Sequence, residues 1–149
     1  MRIGIQIDTN RTSELINAIT KLWERSVRAS HHFLKEEDIA RLREFVPYAL
    51  CGIQTLAVAY DSDHPVGFIG VECGKIEMLF VEPEYFGKGI GGKLLNMAIR
   101  EYGARLIDVN EQNSSALAIY RHRGYREYDR SKTDDQGQPF PILRMEMRK

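Results

Sequence analysis

The sequence predicts an α+β domain built around an antiparallel meander, and three observations predict it. Three strand-like runs, Gln54 to Tyr60, Val66 to Glu72 and Lys75 to Val81, follow one another with only short links. Two apolar stripes of helical spacing precede them. A glycine-rich loop after the third run opens onto a further helix, whereas a parallel βαβ array would already have placed helices between the strands.

Ile3, Ile5 and Ile7 alternate with other residues, as in a short half-buried strand. Leu15, Ile16, Ile19, Leu22, Trp23 and Val27 then mark a helix that Thr12 or Ser13 can cap. A second helix follows Leu34, with Glu36, Glu37 and Asp38 at the positive end of its dipole. Ile39, Leu42, Phe45 and Val46 form its buried stripe, and Pro47 marks its end. Within the meander, Asp61-Ser62-Asp63-His64-Pro65 is a hairpin-like link and Gly74 makes a tight turn. Beyond the glycine loop, Leu94, Ala98 and Tyr102 recur every fourth residue, as do Leu95 and Ile99, giving a helix of about three turns. Leu106 to Val109 is a short strand. Asn113 starts another helix through Ala116 and Tyr120, closed by Gly124, with Arg121, His122 and Arg123 at the dipole's negative end. Strands at Tyr125 to Ser131 and Ile142 to Met147 complete the order β-α-α-β-β-β-α-β-α-β-β.

No repeat, low-complexity tract or Pro/Gly/Ser linker divides residues 1–149, so one domain is expected. The 21 basic and 21 acidic residues cancel, which removes the overall electrostatic footprint of a dedicated nucleic-acid binder. Cys51 and Cys73 form no CxxC pair and have no histidine at metal-ligand spacing, so reduced, buried thiols are expected. With no helical H-E-x-x-H, no metal site is expected either. The start, Met1-Arg2-Ile3-Gly4, is too polar for a signal peptide, and no apolar run approaches the roughly 20 residues that span a bilayer. A cytoplasmic, soluble protein without a membrane partner is the expectation.

Gly87-Lys88-Gly89-Ile90-Gly91-Gly92-Lys93 is the sharpest functional signal. Glycines let backbone N–H groups approach an anion, and the helix behind them adds its dipole, so a phosphate-bearing ligand is expected. Three phosphate motifs overlap here. Gly87, Gly89 and Gly92 satisfy G-x-G-x-x-G, with Asp108 about where a ribose-binding acid falls. Yet Glu82-Pro83-Glu84-Tyr85-Phe86 separates the loop from its strand, and the remaining chain is too short for a doubly wound sheet. Gly87 and Gly92-Lys93 satisfy most of a P-loop, but Leu94 stands where the Mg²⁺-binding Ser or Thr is needed.

In its context, Ile76-Glu77-Met78-Leu79-Phe80-Val81-Glu82-Pro83-Glu84-Tyr85-Phe86-Gly87-Lys88-Gly89-Ile90-Gly91 resembles the GNAT superfamily of acetyltransferases. The signature of that superfamily is a strand, a V-x-P-x-x-(Q/R)-G-x-G-(I/V)-G loop and a helix. The resemblance continues through Asp108-Val109-Asn110, Asn113, Ala116, Ala118-Ile119-Tyr120 and Arg123-Gly124-Tyr125. Val27-Arg28-Ala29-Ser30-His31-His32-Phe33-Leu34, Asn110-Glu111-Gln112-Asn113 and the stretch from Ser131 to Pro141 are similar to the YjaB-like branch of bacterial acetyltransferases. The resemblance implies the GNAT fold, a mixed, mostly antiparallel sheet flanked by helices with a splayed central strand pair. It also implies an N-acetyltransferase that moves an acetyl group from acetyl-CoA directly to a primary amine of a small molecule or protein. Dimers are common in the superfamily. A non-catalytic acyl-CoA binding or regulatory module is the alternative.

Carried onto this chain, the resemblance implies that pantetheine lies along Met78 to Val81, with a backbone N–H near Leu79 or Phe80 facing the oxyanion. The amides of Gly87, Lys88, Gly89, Ile90, Gly91 and Gly92 would take the pyrophosphate. Phe86 departs from the usual Gln or Arg, which implies weaker CoA binding. Asn110 and Asn113 become cofactor contacts, although Asn113 is equally suited to be a helix cap. Tyr120, two helical turns after Asn113, is either a core tyrosine or the general acid and cofactor contact beside the thioester.

The base has two candidates. Glu77, mid-strand on the face of Leu79 and Val81, is either ion-paired or a carboxylate raised toward use as a base. His31 and His32 follow the first helix, where the superfamily builds its acceptor site, and are either structural or proton acceptors for the bound substrate. Trp23 is core or a wall of the acceptor pocket. Asp134-Asp135 is a solvated turn or a holder of the cationic amine.

Overall fold

The computed structural model describes residues 1–7 and 10–147. Strand β1 (Ile3–Ile7) leads to helices α1 (Ser13–Ser30) and α2 (Glu36–Gly52). Strands β2 (Thr55–Asp61), β3 (His64–Glu72) and β4 (Lys75–Val81) follow, then a 3-10 turn at Pro83–Tyr85 and helix α3 (Ile90–Tyr102). Strand β5 (Leu106–Asn110), helix α4 (Ser114–His122) and strands β6 (Tyr125–Ser131) and β7 (Ile142–Met147) complete the order. Among the described residues, seven strands form one sheet, β1-β2-β3-β4-β5-β7-β6, in which only β4 and β5 run parallel.

Local chemistry sets the ends of these elements. The Thr12 hydroxyl accepts the Leu15 N–H and starts α1. Cys73 and Gly74 both have positive φ, 48° and 76°, the backbone of a tight hairpin turn between β3 and β4. Gly124, at φ 100°, releases the chain from α4 into β6.

Four expectations are corrected. Pro47 lies inside α2, which runs on to Gly52. Fully buried Leu50 and the Arg11 guanidinium, which donates to the carbonyls of Leu50 and Cys51 at 2.9 and 3.0 Å, hold the last turn. Phe45 is 54% exposed, because the stripe through Ile39, Val46 and Leu50 already fills the face toward the sheet. Ile7 is exposed at the end of the edge strand. Both thiols are exposed, Cys51 in the last turn of α2 and Cys73 in the turn before β4.

Each face of the sheet carries its own core. Along β2 the alternation is strict: Leu56 and Val58 pack with Ile19, Leu22 and Leu50 of α1 and α2, while Ala57 and Ala59 pack with Leu94 and Leu95 of α3. A strand buried on both faces reads as a continuous apolar run, as Leu56 to Ala59 do within β2. Beneath α3, a Cβ added at Gly67 would meet Ile90 at 3.1 Å and both Leu94 and the Phe80 carbonyl at 3.3 Å. Gly67→Ala should therefore destabilise by about 1–3 kcal/mol, seen as a lower urea midpoint at unchanged slope. An unchanged midpoint would mean that α3 is free to lift from the sheet.

Candidate active site

The parallel pair is where the sheet opens. Strands β4 and β5 pair only at Lys75↔Leu106 and Ile76↔Ile107 among the described residues. From Glu77 onward, the β4 backbone groups that point toward β5 lack a sheet partner. The base of this fork is held by charge: Asp108 accepts from Lys75 Nζ at 2.7 Å and from Arg144 Nη1 directly across on β7.

On its other edge β4 carries an irregularity. Ile76 pairs with Val71 and Met78 with Gly70, so Glu77 is the extra residue of a bulge. The bulge changes which core each residue joins. Ile76 belongs to the core under α3, whereas Met78 and Phe80 pack into the core under α1 and α2. The expected sharing of a face by Glu77, Leu79 and Val81 thus meets a register break at Glu77 itself.

Two cavities meet at the fork. The first, about 200 Å³, is lined by Glu77 to Phe80 of β4, Ile107 to Asn110 of β5, and Asn113, Ala116 and Tyr120. The second, about 330 Å³, lies under α1 and α2 with Trp23, Leu42, Phe45 and Phe140 in its walls and Asp134 and Asp135 at the β6–β7 loop. His31, Glu77, Met78, Phe80 and Asn110 line both.

Tyr120 is buried, its ring edge-on to Tyr125 at 5.8 Å. Burial pushes its phenol well above the ordinary value, so it is protonated at neutral pH. Its hydroxyl has no hydrogen-bond partner among the described residues and borders the first cavity. Asn113 Oδ1 accepts the Ala116 N–H at 3.3 Å as the expected α4 cap, and the residue also lines the first cavity. Glu77 is exposed, yet loss of water at the cavity walls raises its carboxyl. Lys75 pulls the other way, and Asp108, Asp135 and Glu72 add to the rise.

His31 and His32 differ. His31 lines both cavities, and burial together with His32 lowers its pKa to about 4. His32 is exposed and lines neither cavity, which sets it apart from the expectation of substrate contact. Trp23, only 5% exposed, is a core residue that also walls the second cavity. Asp134 closes its own turn by accepting from the Gln136 and Gln138 N–H groups at 2.9 and 2.8 Å, leaving Asp135 as the exposed acid of the pair.

The glycine loop lies beyond Val81, past the open end of the fork. Gly87 and Gly89 have φ of 77° and 83°, and nothing lies within 4 Å of where their Cβ atoms would be. The first α3 hydrogen bond runs from Lys93 to Gly89, so the amides of Ile90, Gly91 and Gly92 are left for an outside acceptor. An open face of unpaired amides at a helix start fits a pyrophosphate. Phe86 is 44% exposed and lines neither cavity. Arg123, expected only as a helix-end cation, reaches this site: it donates to Asn96, and its Nη2 lies 2.6 Å from where a Gly92 Cβ would be. Only the absence of a side chain at Gly92 signalled it.

The model of the acetyltransferase (GNAT) domain family matches residues 52–127. The chain is 34% identical over 145 residues to the peptidyl-lysine N-acetyltransferase YjaB of Salmonella typhimurium, covering 97% of this chain and 98% of that one. The solution structure of apo-form YjaB from Escherichia coli superposes with a TM-score of 0.87 at 33% identity, over 98% of this chain and 97% of the other. The crystal structure of PaiA N-acetyltransferase from Thermoplasma acidophilum with coenzyme A shares the fold, with a TM-score of 0.74 at 22% identity over 99% and 100% of the two chains. Sequence and fold agree with the fork and the glycine cradle, and the chain belongs to the GNAT family of acetyltransferases.

Proposed function

We propose that this chain transfers the acetyl group of acetyl-CoA directly to the side-chain amine of a lysine in a protein or peptide. The observation that carries this is the meeting of the two cavities at His31, Glu77, Met78, Phe80 and Asn110. The first cavity suits an extended arm laid along β4, and the second suits an apolar stem bearing a cation. Trp23, Leu42, Phe45 and Phe140 would pack against methylenes, while Glu77 and Asp135 attract the ammonium. The names of the YjaB relatives support a lysine acceptor. A free small-molecule amine meets the same chemistry.

Acetyl-CoA supplies a thioester carbonyl as the electrophile and a thiolate as the leaving group. The chain's part is to hold, orient and move protons. The β4 amides of Leu79 and Val81, which alternate with the Phe80 amide turned toward β3, bind the pantetheine arm, and Leu79 faces the oxyanion. The amides of Gly87 and of Gly89 to Gly92 hold the pyrophosphate with Arg123 beside them, the Lys88 N–H being taken by the Tyr85 carbonyl at 3.2 Å. Glu77 takes a proton from the incoming ammonium, and the Tyr120 hydroxyl gives one to the departing sulfur. Both thiols, Cys51 and Cys73, are exposed and line neither cavity, which favours direct transfer over an acyl-enzyme.

Tyr120→Phe should lower kcat by roughly 10²-fold with acetyl-CoA affinity retained, measured by thiol release and calorimetry. A variant that turns over normally would remove Tyr120 from the proton path, and a wild type that binds acetyl-CoA without releasing thiol would favour the non-catalytic acyl-CoA module. Gly89→Ala forces an L-residue toward the left-handed region and should weaken acetyl-CoA binding about tenfold; an unchanged Kd would put the phosphates elsewhere. The raised Glu77 carboxyl binds its proton more tightly in the folded chain than in the unfolded chain. Its charge therefore opposes folding once pH exceeds the unfolded carboxylate value. Glu77→Gln should leave Tm at pH 7 equal or higher while kcat/KM falls and loses its acid limb. A Tm that drops would mark Glu77 as structural.

A further inference from the structure

A primary ammonium becomes an amide nitrogen by losing two protons, one before it attacks and one as the C–N bond forms. Glu77 accounts for the first. The second leaves a nitrogen that is already bonded to the acetyl carbon and is far more acidic than an alkylammonium. A weak neutral acceptor at the junction of the cavities suffices for it.

His31 sits there. It caps α1 through its backbone N–H to Val27 O at 2.7 Å, and its ring packs against Phe33 and Phe80. Its protonation pattern follows from its neighbours. The Ser30 hydroxyl donates its one hydrogen to the Ser26 carbonyl at 2.7 Å. Ser30 Oγ can then only accept from His31 Nδ1, which stands 2.8 Å away. The proton is therefore on Nδ1, and Nε2 carries a bare lone pair. Nε2 accepts a long hydrogen bond from the Asn113 amide N–H at 3.4 Å, which an incoming N–H would displace, and the α4 cap on Asn113 Oδ1 sets the orientation of that amide. The last turn of α1 and the first turn of α4 thus fix the same imidazole from opposite edges.

We propose that His31 Nε2 takes the proton from the attacking nitrogen as the amide forms, and that Ser30 is the positioning residue that keeps Nε2 bare for it. This rests on the acetyltransferase reading above. The nitrogen lone pair forms the C–N bond, the N–H proton passes to Nε2, and the C–S electron pair leaves on sulfur, which takes the Tyr120 proton. The His31 proton returns through water to the Tyr120 phenolate. The proton lost before attack goes to solvent, so one amide, one thiol and one H⁺ result from one ammonium and one thioester.

The test combines ¹⁵N-imidazole NMR of the protein alone with acetyl transfer from acetyl-CoA to poly-L-lysine, each variant first checked for an unchanged Tm. In the wild type, His31 should show Nδ1 protonated and Nε2 bare. Ser30→Ala should shift the ring toward the Nε2–H form and lower kcat about tenfold at constant KM, and Ser30→Thr should restore both. His31→Gln should lower kcat by about 10²-fold without changing the acetyl-CoA Kd. An Nε2–H tautomer in the wild type, or a His31→Gln enzyme with full kcat, overturns the proposal. Failure of the wild type to bind acetyl-CoA instead sinks the acetyltransferase reading, while the tautomer still judges the role of Ser30.

Discussion

Both cavities at the centre of this molecule depend on two neighbouring strands failing to pair. A parallel pair normally continues along its length, because each unpaired backbone group surrenders a hydrogen bond. Here β4 and β5 hold together at Lys75↔Leu106 and Ile76↔Ile107 and then part. The fork needs a brace, and Asp108 provides one by sharing a single carboxylate oxygen between Lys75 and Arg144. Arg144 in turn reaches Ser131 on β6 at 2.9 Å, so four strands are tied together beside the opening. A half-buried carboxylate with two cationic partners is well satisfied. Losing either partner would leave it short of hydrogen bonds in a place with little water.

The bulge at Glu77 explains how one short strand serves both faces. Without it, Ile76, Met78 and Phe80 would share a side. With it, Ile76 stays in the core under α3, and Met78 and Phe80 turn into the wall between the cavities. The same step leaves Glu77 unpaired at the mouth of the fork. The acid that touches both cavities is thus a product of register, and its raised proton affinity is a product of where register puts it.

Most of the fold was legible because period and punctuation agreed. Strands β6 and β7 begin and end where their residue pattern says, and Gly124 separates α4 from β6. The glycine loop was legible as a loop for the same reason, since Gly87 and Gly89 sit at left-handed φ. What escaped the sequence depends on partners distant along the chain. Pro47 reads as a stop only until Arg11 and buried Leu50 are seen holding the turns beyond it. Phe45 looks like core until Val46 and Leu50 are seen filling the face. His31 and His32 are adjacent and chemically equal in the sequence. Only the turn after α1 sends one ring to the cavities and the other to solvent, and Ser30, held by Ser26, orients the first together with distant Asn113.

The second cavity has a further consequence for how this chain can be altered. Trp23, Val27, Leu34, Leu42, Phe45, Val46 and Ala49 lie before residue 52, and the loop from Asp134 to Ile142 lies after residue 127. Those walls fall outside the segment that the family model recognises, whereas the fork and the cradle fall inside it. Arg41 of α2 meets Gln136 at 3.2 Å, so the two flanks close on each other beside that cavity. A substitution at Phe45 or Phe140 would reshape one chamber and leave the Lys75–Asp108–Arg144 brace of the β4–β5 opening untouched.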